Sequence, residues 1–302
     1  MDDKTRHRLA IAALALAGSL WGTGFLFGKI AFREMTVSEN VSFRFLAGSL
    51  ALSPILIRRW KPYRGRDLLL LLLAGVIGVP LQFLVQFKGL QLTTVSHASL
   101  IVGTLPMLLA LSSALILHER LRPIEWGLLT LSGAGAVLIA ISTRTGTSGP
   151  QPTLRGDLLV LLSMFASVAM ILCSKRLVDK HDAFHVTAAT LVSGTILLVG
   201  WVELTRPVRF HFSFESWAAV LAQGLLATAG AYLLWNWGLS RVPASHAGVF
   251  LNMEPMLGAV LGVTLLHEKL AKTAILGGAM IISAAVYFSL RPHSGEPVRL
   301  GS

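Results

Sequence analysis

The chain contains 302 residues, of which 54% are apolar and only 14% are Asp, Glu, Lys or Arg. A soluble domain normally carries about 25% charged residues, so this composition excludes an ordinary cytosolic enzyme and a disordered chain. The single cysteine, Cys173, cannot form an internal disulfide, which excludes a secreted disulfide scaffold. The composition is typical of a polytopic membrane protein, an all-α integral membrane fold.

Ten mostly apolar stretches follow one another along the chain, each of the roughly 17–25 residues that an α-helix needs to cross a bilayer. Lipid-exposed backbone must satisfy its hydrogen bonds internally, so runs of this length predict helices rather than barrel strands. The first run is longer than a signal-peptide core, and we therefore expect an uncleaved helix. The predicted spans are 9–32, 41–57, 68–87, 98–117, 124–142, 156–174, 184–202, 217–237, 247–266 and 273–290.

The positive charges are distributed unevenly between the loops. With the N-terminus in the cytoplasm, the cytoplasmic segments contain about twice as many Lys and Arg residues as the segments on the other side, and the loop 58–66 carries most of this bias. This bias predicts that both termini are cytoplasmic. It also accounts for the net charge of +11 without nucleic-acid binding, which has no other support in the sequence.

The two halves of the chain are similar to each other. Residues 89–121 match residues 238–270 at a constant offset of 149, whereas the first spans of the halves match weakly at an offset of 146. The shared motifs are Ser96-His97-Ala98 with Ser245-His246-Ala247, Pro106-Met107-Leu108 with Pro255-Met256-Leu257, and Leu117-His118-Glu119 with Leu266-His267-Glu268. Apolar helices would share scattered leucines by composition, but not three such motifs in one register.

The repeat predicts the organisation of the chain. A first five-helix repeat occupies residues 1–142, a linker 143–155, a second five-helix repeat 156–290 and a cytoplasmic tail 291–302. An odd number of spans in each half reverses the orientation of the second half, so the ten helices form two inverted repeats. This arrangement is typical of transporters, because two pseudo-symmetric halves can open to either side in turn.

Several motifs resemble those of the EamA-like exporters of the drug/metabolite transporter superfamily. They are Leu20-Trp21-Gly22 with Lys29, Arg44-Phe45, the prolines of spans four and nine, and Glu119-Arg120-Leu121 with Glu268-Lys269-Leu270. The resemblance extends from residue 9 to residue 290. It implies a two-repeat bundle in a bacterial inner (plasma) membrane that moves small metabolites, often outward and often amino acids.

Glu254 is the strongest candidate for a functional residue. It lies eight residues into the ninth span, or about 12 Å deep at 1.5 Å per residue. A carboxylate at such a depth costs about 2.5–3.5 kcal/mol, so it should face a cavity or a partner. It is expected to hold a proton or an amino-acid ammonium group and to couple transport; the alternative is a structural hydrogen bond. Asn252 is a weaker candidate, because residues two apart do not share a helix face.

Polar and aromatic side chains recur at equivalent depths of the third and eighth spans. They are Gln82 and Gln86 in the third span and Tyr232, Trp235 and Asn236 in the eighth. The offset of 149 pairs Gln86 with Trp235, which predicts a cavity for a zwitterion with an apolar side chain. The alternative is interhelical hydrogen bonding, worth roughly 1 kcal/mol per contact. Trp21 suits either a cavity wall or core packing.

Two cations and two prolines complete the candidate set. Lys29 and Arg44 lie near the outer ends of their spans, where they either snorkel to the interface or form a gate or carboxylate clamp at the outer mouth. Pro106 and Pro255 lie at equivalent positions and each removes a helix hydrogen bond, which predicts a kink in both halves. These kinks serve either packing or gating.

Other chemistry finds no support in the sequence. The His-Glu pairs 118–119 and 267–268 lack the second His of a zinc protease, and no P-loop is present, so we expect no metal, no cofactor and no ATP. The leading hypothesis is a secondary exporter of amino acids or related metabolites, with the bilayer and a small-molecule substrate, with or without a proton, as partners. The alternatives are an importer, a carrier for nucleotide sugars or lipids, an intramembrane enzyme and a membrane scaffold. Monomer and dimer both remain open.

Overall fold

The computed structural model describes residues 3–58, 62–108, 111–112, 122–141, 151–178, 180–205, 209–239 and 248–290. Helices and turns make up this part of the chain, which contains no strand and so confirms an all-helical fold. The helices are α1 (Asp3–Ala31), α2 (Val37–Arg58), α3 (Gly65–Leu92), α4 (Val95–Leu108), α5 (Pro123–Ala140), α6 (Leu154–Val178), α7 (Ala183–Thr205), α8 (Phe214–Gly238), α9 (Met253–Leu265, preceded by a 3-10 turn Gly248–Asn252) and α10 (Lys272–Leu290).

Six of these helices are long and apolar enough to cross a membrane. They are α1 from Arg8, α2, α3, α6, α7 and α8. The described parts of α4, α5, α9 and α10 are apolar but shorter, and they coincide with the fourth, fifth, ninth and tenth predicted spans. The third span is longer than predicted, running from Gly65 to Leu92. His118-Glu119, the C-terminal part of the predicted fourth span, most of the predicted linker and the predicted tail lie outside the described residues.

The helices of the two halves interlock. The most extensive helix contacts are α5 with α10, α3 with α6, α4 with α9, α1 with α8 and α9, and α2 with α7. Each of these pairs joins a helix before residue 142 to one after residue 153. The apolar core therefore lies between the halves, with Phe45, Phe87 and Leu191 among its fully buried side chains.

Two helix crossings use glycines at equivalent sequence positions. A Cβ added at Gly48 of α2 would lie 3.1 Å from the carbonyl oxygen of Gly224 on α8, and one added at Gly194 of α7 would lie 2.5 Å from that of Gly75 on α3. The offsets of 146 and 149 that relate the halves of the sequence convert the first pair into the second. The two halves thus approach each other through the same small residues.

Two long helices contain a π-helical turn that the sequence analysis did not anticipate. These turns are Ile77–Leu81 in α3 and Leu225–Gly230 in α8, and the offset of 149 maps residues 77–81 onto 226–230. A π-helical turn widens the helix locally and often marks a functional site. The two turns lie in the same helices as the polar and aromatic candidates.

The two helices that contain the equivalent prolines, Pro106 and Pro255, are also irregular. The regular part of α4 ends at Val102, and the turn residues Gly103 and Thr104 precede Pro106. In the second half the 3-10 turn Gly248–Asn252 precedes Pro255. The backbone is therefore irregular just before each proline; that the prolines kink both helices, for packing or for gating, stays a prediction.

The bundle has two ends that are defined by their turns. The Thr93 end contains residues 32–36, 93–94 and 209–213, and the Tyr63 end contains residues 62–64 and 180–182. The charge distribution of the sequence predicts that the Thr93 end faces the outside.

Candidate functional site

A buried arginine lies in the interior of the bundle. Arg44 of α2 is 4% exposed, and its Nε donates a hydrogen bond of 2.9 Å to Oγ1 of Thr228 in the π-helical turn of α8. Its guanidinium carbon lies 4.6 Å from the ring centroid of Phe83 and 5.3 Å from that of Phe87, both on α3. Arg44 therefore points inward and does not snorkel to the interface.

An aromatic wall stands beside this arginine. The ring centroid of Trp21 on α1 lies 5.4 Å from that of Tyr232 and 5.3 Å from that of Trp235, both on α8. All three side chains remain partly exposed. Trp21 thus packs against two other rings and still offers surface to a solute.

Glu254 lies near both of these groups. It belongs to the first turn of α9, and its carbonyl oxygen would lie 2.8 Å from a Cβ added at Gly22, the residue after Trp21. The carboxyl group is within electrostatic range of Arg44 and of Tyr232. It forms no ion pair with Arg44, since none of their N–O distances is within 4.0 Å. A cation and an anion thus face the same interior region from different halves of the chain without touching.

Four other predicted site residues have different surroundings. Asn236 donates a hydrogen bond to Oγ1 of Thr187 on α7, which is the interhelical bond of the alternative interpretation. Gln82 and Gln86 are buried, and Oε1 of Gln82 accepts no hydrogen bond from the described residues. Asn252 is buried where the 3-10 turn meets α9.

The Thr93 end carries a polar network that sequence reasoning did not identify as one. The Glu268 carboxylate, on the turn after α9, accepts hydrogen bonds of 2.8 Å from the backbone N–H groups of Val95 and Ser96 and one of 2.7 Å from Ser96 Oγ. These are donors at the N-terminus of α4, where a carboxylate is favoured by the exposed N–H groups and the helix dipole. Glu268 therefore ties the end of α9 to the start of α4.

A second part of the same network ties α6 to the turn between α3 and α4. Asp157 accepts a hydrogen bond of 2.5 Å from Thr93 Oγ1 and pairs with His97 Nδ1 at 3.1 Å, and the side chains of both Asp157 and His97 are almost fully buried. Lys29 donates a 2.5 Å hydrogen bond to the carbonyl oxygen of Thr93 and lies within electrostatic range of Glu268. Lys29 is thus engaged in the Thr93 end, while Arg44 is not.

Part of this network could have been found from the sequence, because polar residues recur at the span ends of both halves. Ser96, His97 and Glu268 stand within the motifs shared by both halves, but none of them was a candidate site residue in the sequence analysis. Thr93 and Asp157 carry no such signal, because single polar residues at helix ends are common on any membrane protein. Only the fold brings them together.

The loop 209–213 also connects the two halves at this end through ion pairs and hydrogen bonds. Arg209 donates to both carboxylate oxygens of Glu39 at 2.9 Å, and its pairing with Glu39 raises the pKa of Arg209. The backbone N–H of Ser213 donates to Glu34 at 2.7 Å, and hydrogen bonds from Ser213 lower the pKa of Glu34.

The Tyr63 end has its own contacts between the halves. The hydroxyl of Tyr63 lies 2.8 Å from His185 Nδ1, and Asp67 contacts His181 and Lys180 at 3.1 Å each. Burial, with two nearby aspartates, raises the pKa of Tyr63 to about 12. Within the described ranges no group of three or more His, Cys, Asp or Glu side chains could hold a metal ion.

An apolar cavity of about 340 Å³ lies between α2, α7 and α8. Its lining residues are Ile55, Phe184, Leu233, Leu234 and Trp237. It offers no charged group to orient a polar solute. The candidate site is therefore the region bounded by Arg44, Glu254 and the aromatic wall.

Comparison with known proteins assigns the chain to a family. Residues 8–141 and 154–290 each match the EamA-like transporter family. An uncharacterized transporter of Archaeoglobus fulgidus is 28% identical and covers 97% of this chain and 100% of its own, and the uncharacterized transporter YetK of Bacillus subtilis is 24% identical over 90% and 84%. The biotin transporter of Salmonella typhimurium is 24% identical and covers 92% of both chains.

A solved crystal structure shares the fold. It superposes with a TM-score of 0.65 at 19% sequence identity and covers 95% of this chain and 98% of its own. The family match spans most of the sequence, and the apolar helices have the length and composition of membrane spans. The chain therefore belongs to the EamA-like transporter family and is a multi-pass membrane protein.

Proposed function

We propose that this protein is a secondary transporter that exports amino acids or related small metabolites by alternating access. The observation that carries the proposal is the pair of opposite charges, Arg44 and Glu254, that face one interior region beside an aromatic wall without touching each other. A zwitterion carries the complementary charges, a carboxylate for Arg44 and an ammonium group for Glu254. Its apolar side chain would contact Trp21, Tyr232 and Trp235.

The proposed architecture is ten membrane spans arranged as two inverted five-helix repeats, residues 1–142 and 156–290, with a linker between them. The two separate family matches, the equivalent glycine crossings and the paired π-helical turns support this arrangement. The loop charges support cytoplasmic termini in a bacterial inner membrane. The Thr93 end then faces outward.

In the proposed mechanism the two halves rock around the interior site. The site is built from α1, α2, α3, α8 and α9, helices of both halves, so relative motion of the halves exposes it first to one side and then to the other. Glu254 is partly exposed and lies in the first turn of α9, next to the 3-10 turn. It is the proposed coupling group, which binds a proton or the substrate ammonium in alternation.

The test is flux through the purified chain in liposomes. Vesicles loaded with a mixture of amino acids are assayed by mass spectrometry for efflux, with and without a proton gradient, for the intact chain and Glu254→Gln. We expect efflux that depends on the gradient in the intact chain and a loss of at least tenfold, together with the gradient dependence, in the variant. Glu215→Gln is the matched control, because the Glu215 side chain is 61% exposed in an ion pair with Arg33.

Two results would contradict the proposal. Unchanged flux and unchanged gradient dependence in Glu254→Gln would show that another group couples transport. No efflux of any loaded metabolite would refute export from this pool. Import is the second candidate direction, because a carrier that works by alternating access runs either way according to the gradients; uptake into empty vesicles from the same mixture would support it.

A further inference from the structure

We propose that Arg44 holds a free carboxylate of the transported molecule, so that a carboxylate is the feature by which this chain selects its cargo. The inference rests on the proposed transport function and specifies its substrate class. It depends on the hydrogen-bonding capacity, surroundings and position of one side chain.

Most hydrogen-bond donors of the Arg44 guanidinium have no acceptor among the described residues. An arginine carries five N–H donors in a fixed fork. Only Nε donates to another described residue, Thr228, which leaves the four N–H donors of the two Nη atoms for a ligand. Since the side chain is 4% exposed, bulk water does not solvate these donors freely, and a buried charge without a partner is strongly unfavourable.

Aromatic rings and a glycine surround the guanidinium of Arg44. The rings of Phe83 and Phe87 pack against Arg44, with centroids at 4.6 and 5.3 Å from its Cζ. Gly24 lies close to both Nη atoms, because a Cβ added there would be in van der Waals contact with Nη1 at 3.9 Å and with Nη2 at 4.0 Å, and the lack of a side chain leaves this space free. A carboxylate can accept two parallel hydrogen bonds from such a fork, and this geometry is specific as well as strong.

The charge balance favours a carboxylate over a phosphate. Arg44 is a single cation, and the carboxyl group of Glu254 lies within electrostatic range of it. A doubly charged phosphate would be repelled by Glu254 and would lack a second cation. Lys29 is held at the Thr93 end, where its Nζ donates to the carbonyl oxygen of Thr93 at 2.5 Å, and among the described residues no hydrogen bond joins it to Arg44. A singly charged carboxylate with an apolar body matches both Arg44 and the aromatic wall.

The test compares two probes of the same shape. The full chain in lipid nanodiscs is titrated with 3-phenylpropionate and with 3-phenylpropanamide in a buffer without carboxylates, and tryptophan fluorescence is recorded, because Trp21 and Trp235 belong to the site. We expect the carboxylate to bind at least about tenfold more tightly than the amide, as loss of a charged hydrogen-bond partner predicts. Arg44→Gln should abolish the preference, and Arg44→Lys should retain part of it.

The matched control is Arg33→Gln, the same substitution at an arginine that is 62% exposed at the Thr93 end, and it should keep the full preference. Arg44→Lys keeps the charge and so remains informative where Arg44→Gln fails to fold. Equal affinity of the two probes, binding of neither probe, or a preference that survives in both Arg44 variants overturns the inference. Metabolite flux without a carboxylate preference overturns this inference alone, whereas the preference without any flux overturns the proposed transport and leaves the binding site.

Discussion

Replacement of Glu268 by glutamine should weaken the closed Thr93 end of the bundle. The carboxylate accepts three hydrogen bonds, from the backbone N–H groups of Val95 and Ser96 and from Ser96 Oγ, and so joins α9 to the N-terminus of α4. The preceding residue, His267, has a φ of 52°, in the left-handed region that commonly ends helices, and Glu268 N–H donates to the carbonyl of Gly262. Backbone and side chain together fix the carboxylate in place.

The magnitude follows from what a glutamine can still accept. Its carbonyl oxygen replaces one carboxylate oxygen, but its NH2 group cannot accept a hydrogen bond from the N–H that faced the other. At least one hydrogen bond is lost, and the rest lose their charge. A hydrogen bond to a charged group contributes about 1.5–3 kcal/mol, and partial exposure of Glu268 places the loss near the lower limit. Because these bonds exist only when α4 and α9 meet, the ratio of open to closed molecules should rise roughly tenfold.

The assay measures the distance between two spin labels across this contact. Labels at Gln91→Cys and Lys269→Cys, both exposed positions, are attached in a Cys173→Ser background that removes the chain's single cysteine. Double electron–electron resonance in nanodiscs then reports the distribution of distances with and without Glu268→Gln. We expect a larger population of long distances in the variant.

The control for this experiment is Glu215→Gln, which removes an exposed ion pair at the same end of the bundle. Exposed pairs contribute about 0–1 kcal/mol, so this variant should leave the distances unchanged. An identical distribution in the intact chain and in Glu268→Gln would refute the idea that this carboxylate stabilises the closed end. A shift of equal size in Glu215→Gln would show that any loss of charge at this end suffices.

Two further predictions concern stability and ionisation. Gly224→Ala would place a Cβ 2.5 Å from the carbonyl oxygen of Arg44, an overpacking that should destabilise the bundle by about 1–3 kcal/mol and lower its unfolding temperature, whereas Gly127→Ala, with nothing within 4 Å, should not. Tyr63, whose pKa is raised from 10.0 to about 12, should stay protonated at pH 11, and the difference in phenolate absorbance between the intact chain and Tyr63→Phe measures this directly. Because burial disfavours the phenolate, the contribution of Tyr63 to folding is complete below pH 10 and is lost as the pH rises through 12; phenolate absorbance from Tyr63 near pH 10 would contradict this.

The helices could be predicted from the sequence because the bilayer restricts the backbone so strongly. Hydrophobic length alone located the helices, and a repeat with one gap-free offset predicted which of them would be equivalent. The π-helical turns at Ile77–Leu81 and Leu225–Gly230 could not be predicted, because a one-residue widening of a helix leaves hydrophobicity unchanged. Once one of the two turns has been observed, the offset of 149 locates the other.

The site was predicted less completely, because burial depth does not determine the direction of a side chain. Glu254, Trp21, Tyr232 and Trp235 lie together as their depth suggested. Arg44 was placed at a mouth because it lies close to a span end, yet its long side chain points inward between the rings of α3. Asn236 shares a helix with the aromatic wall but bonds to α7, which no helical periodicity could distinguish from a cavity-facing role.

The scaffold repeats itself more faithfully than its charges do. The contact of α2 with α8 at Gly48 and Gly224 has its equivalent in the contact of α7 with α3 at Gly194 and Gly75. At the positions equivalent to Arg44 and Thr228, however, the offsets of 146 and 149 give Thr190 and Val79.

Thr190 is buried and its hydroxyl has no partner among the described residues, and Val79 has no hydroxyl to offer. At these two positions the second crossing therefore has the close backbone approach but no cationic side chain. The proposed inverted repeats share this backbone approach, whereas the arginine stands on one side only, about 10 Å from the start of α2 at 1.5 Å per residue. We therefore expect one anion site for each chain, and a binding stoichiometry of two carboxylates per chain would contradict this expectation.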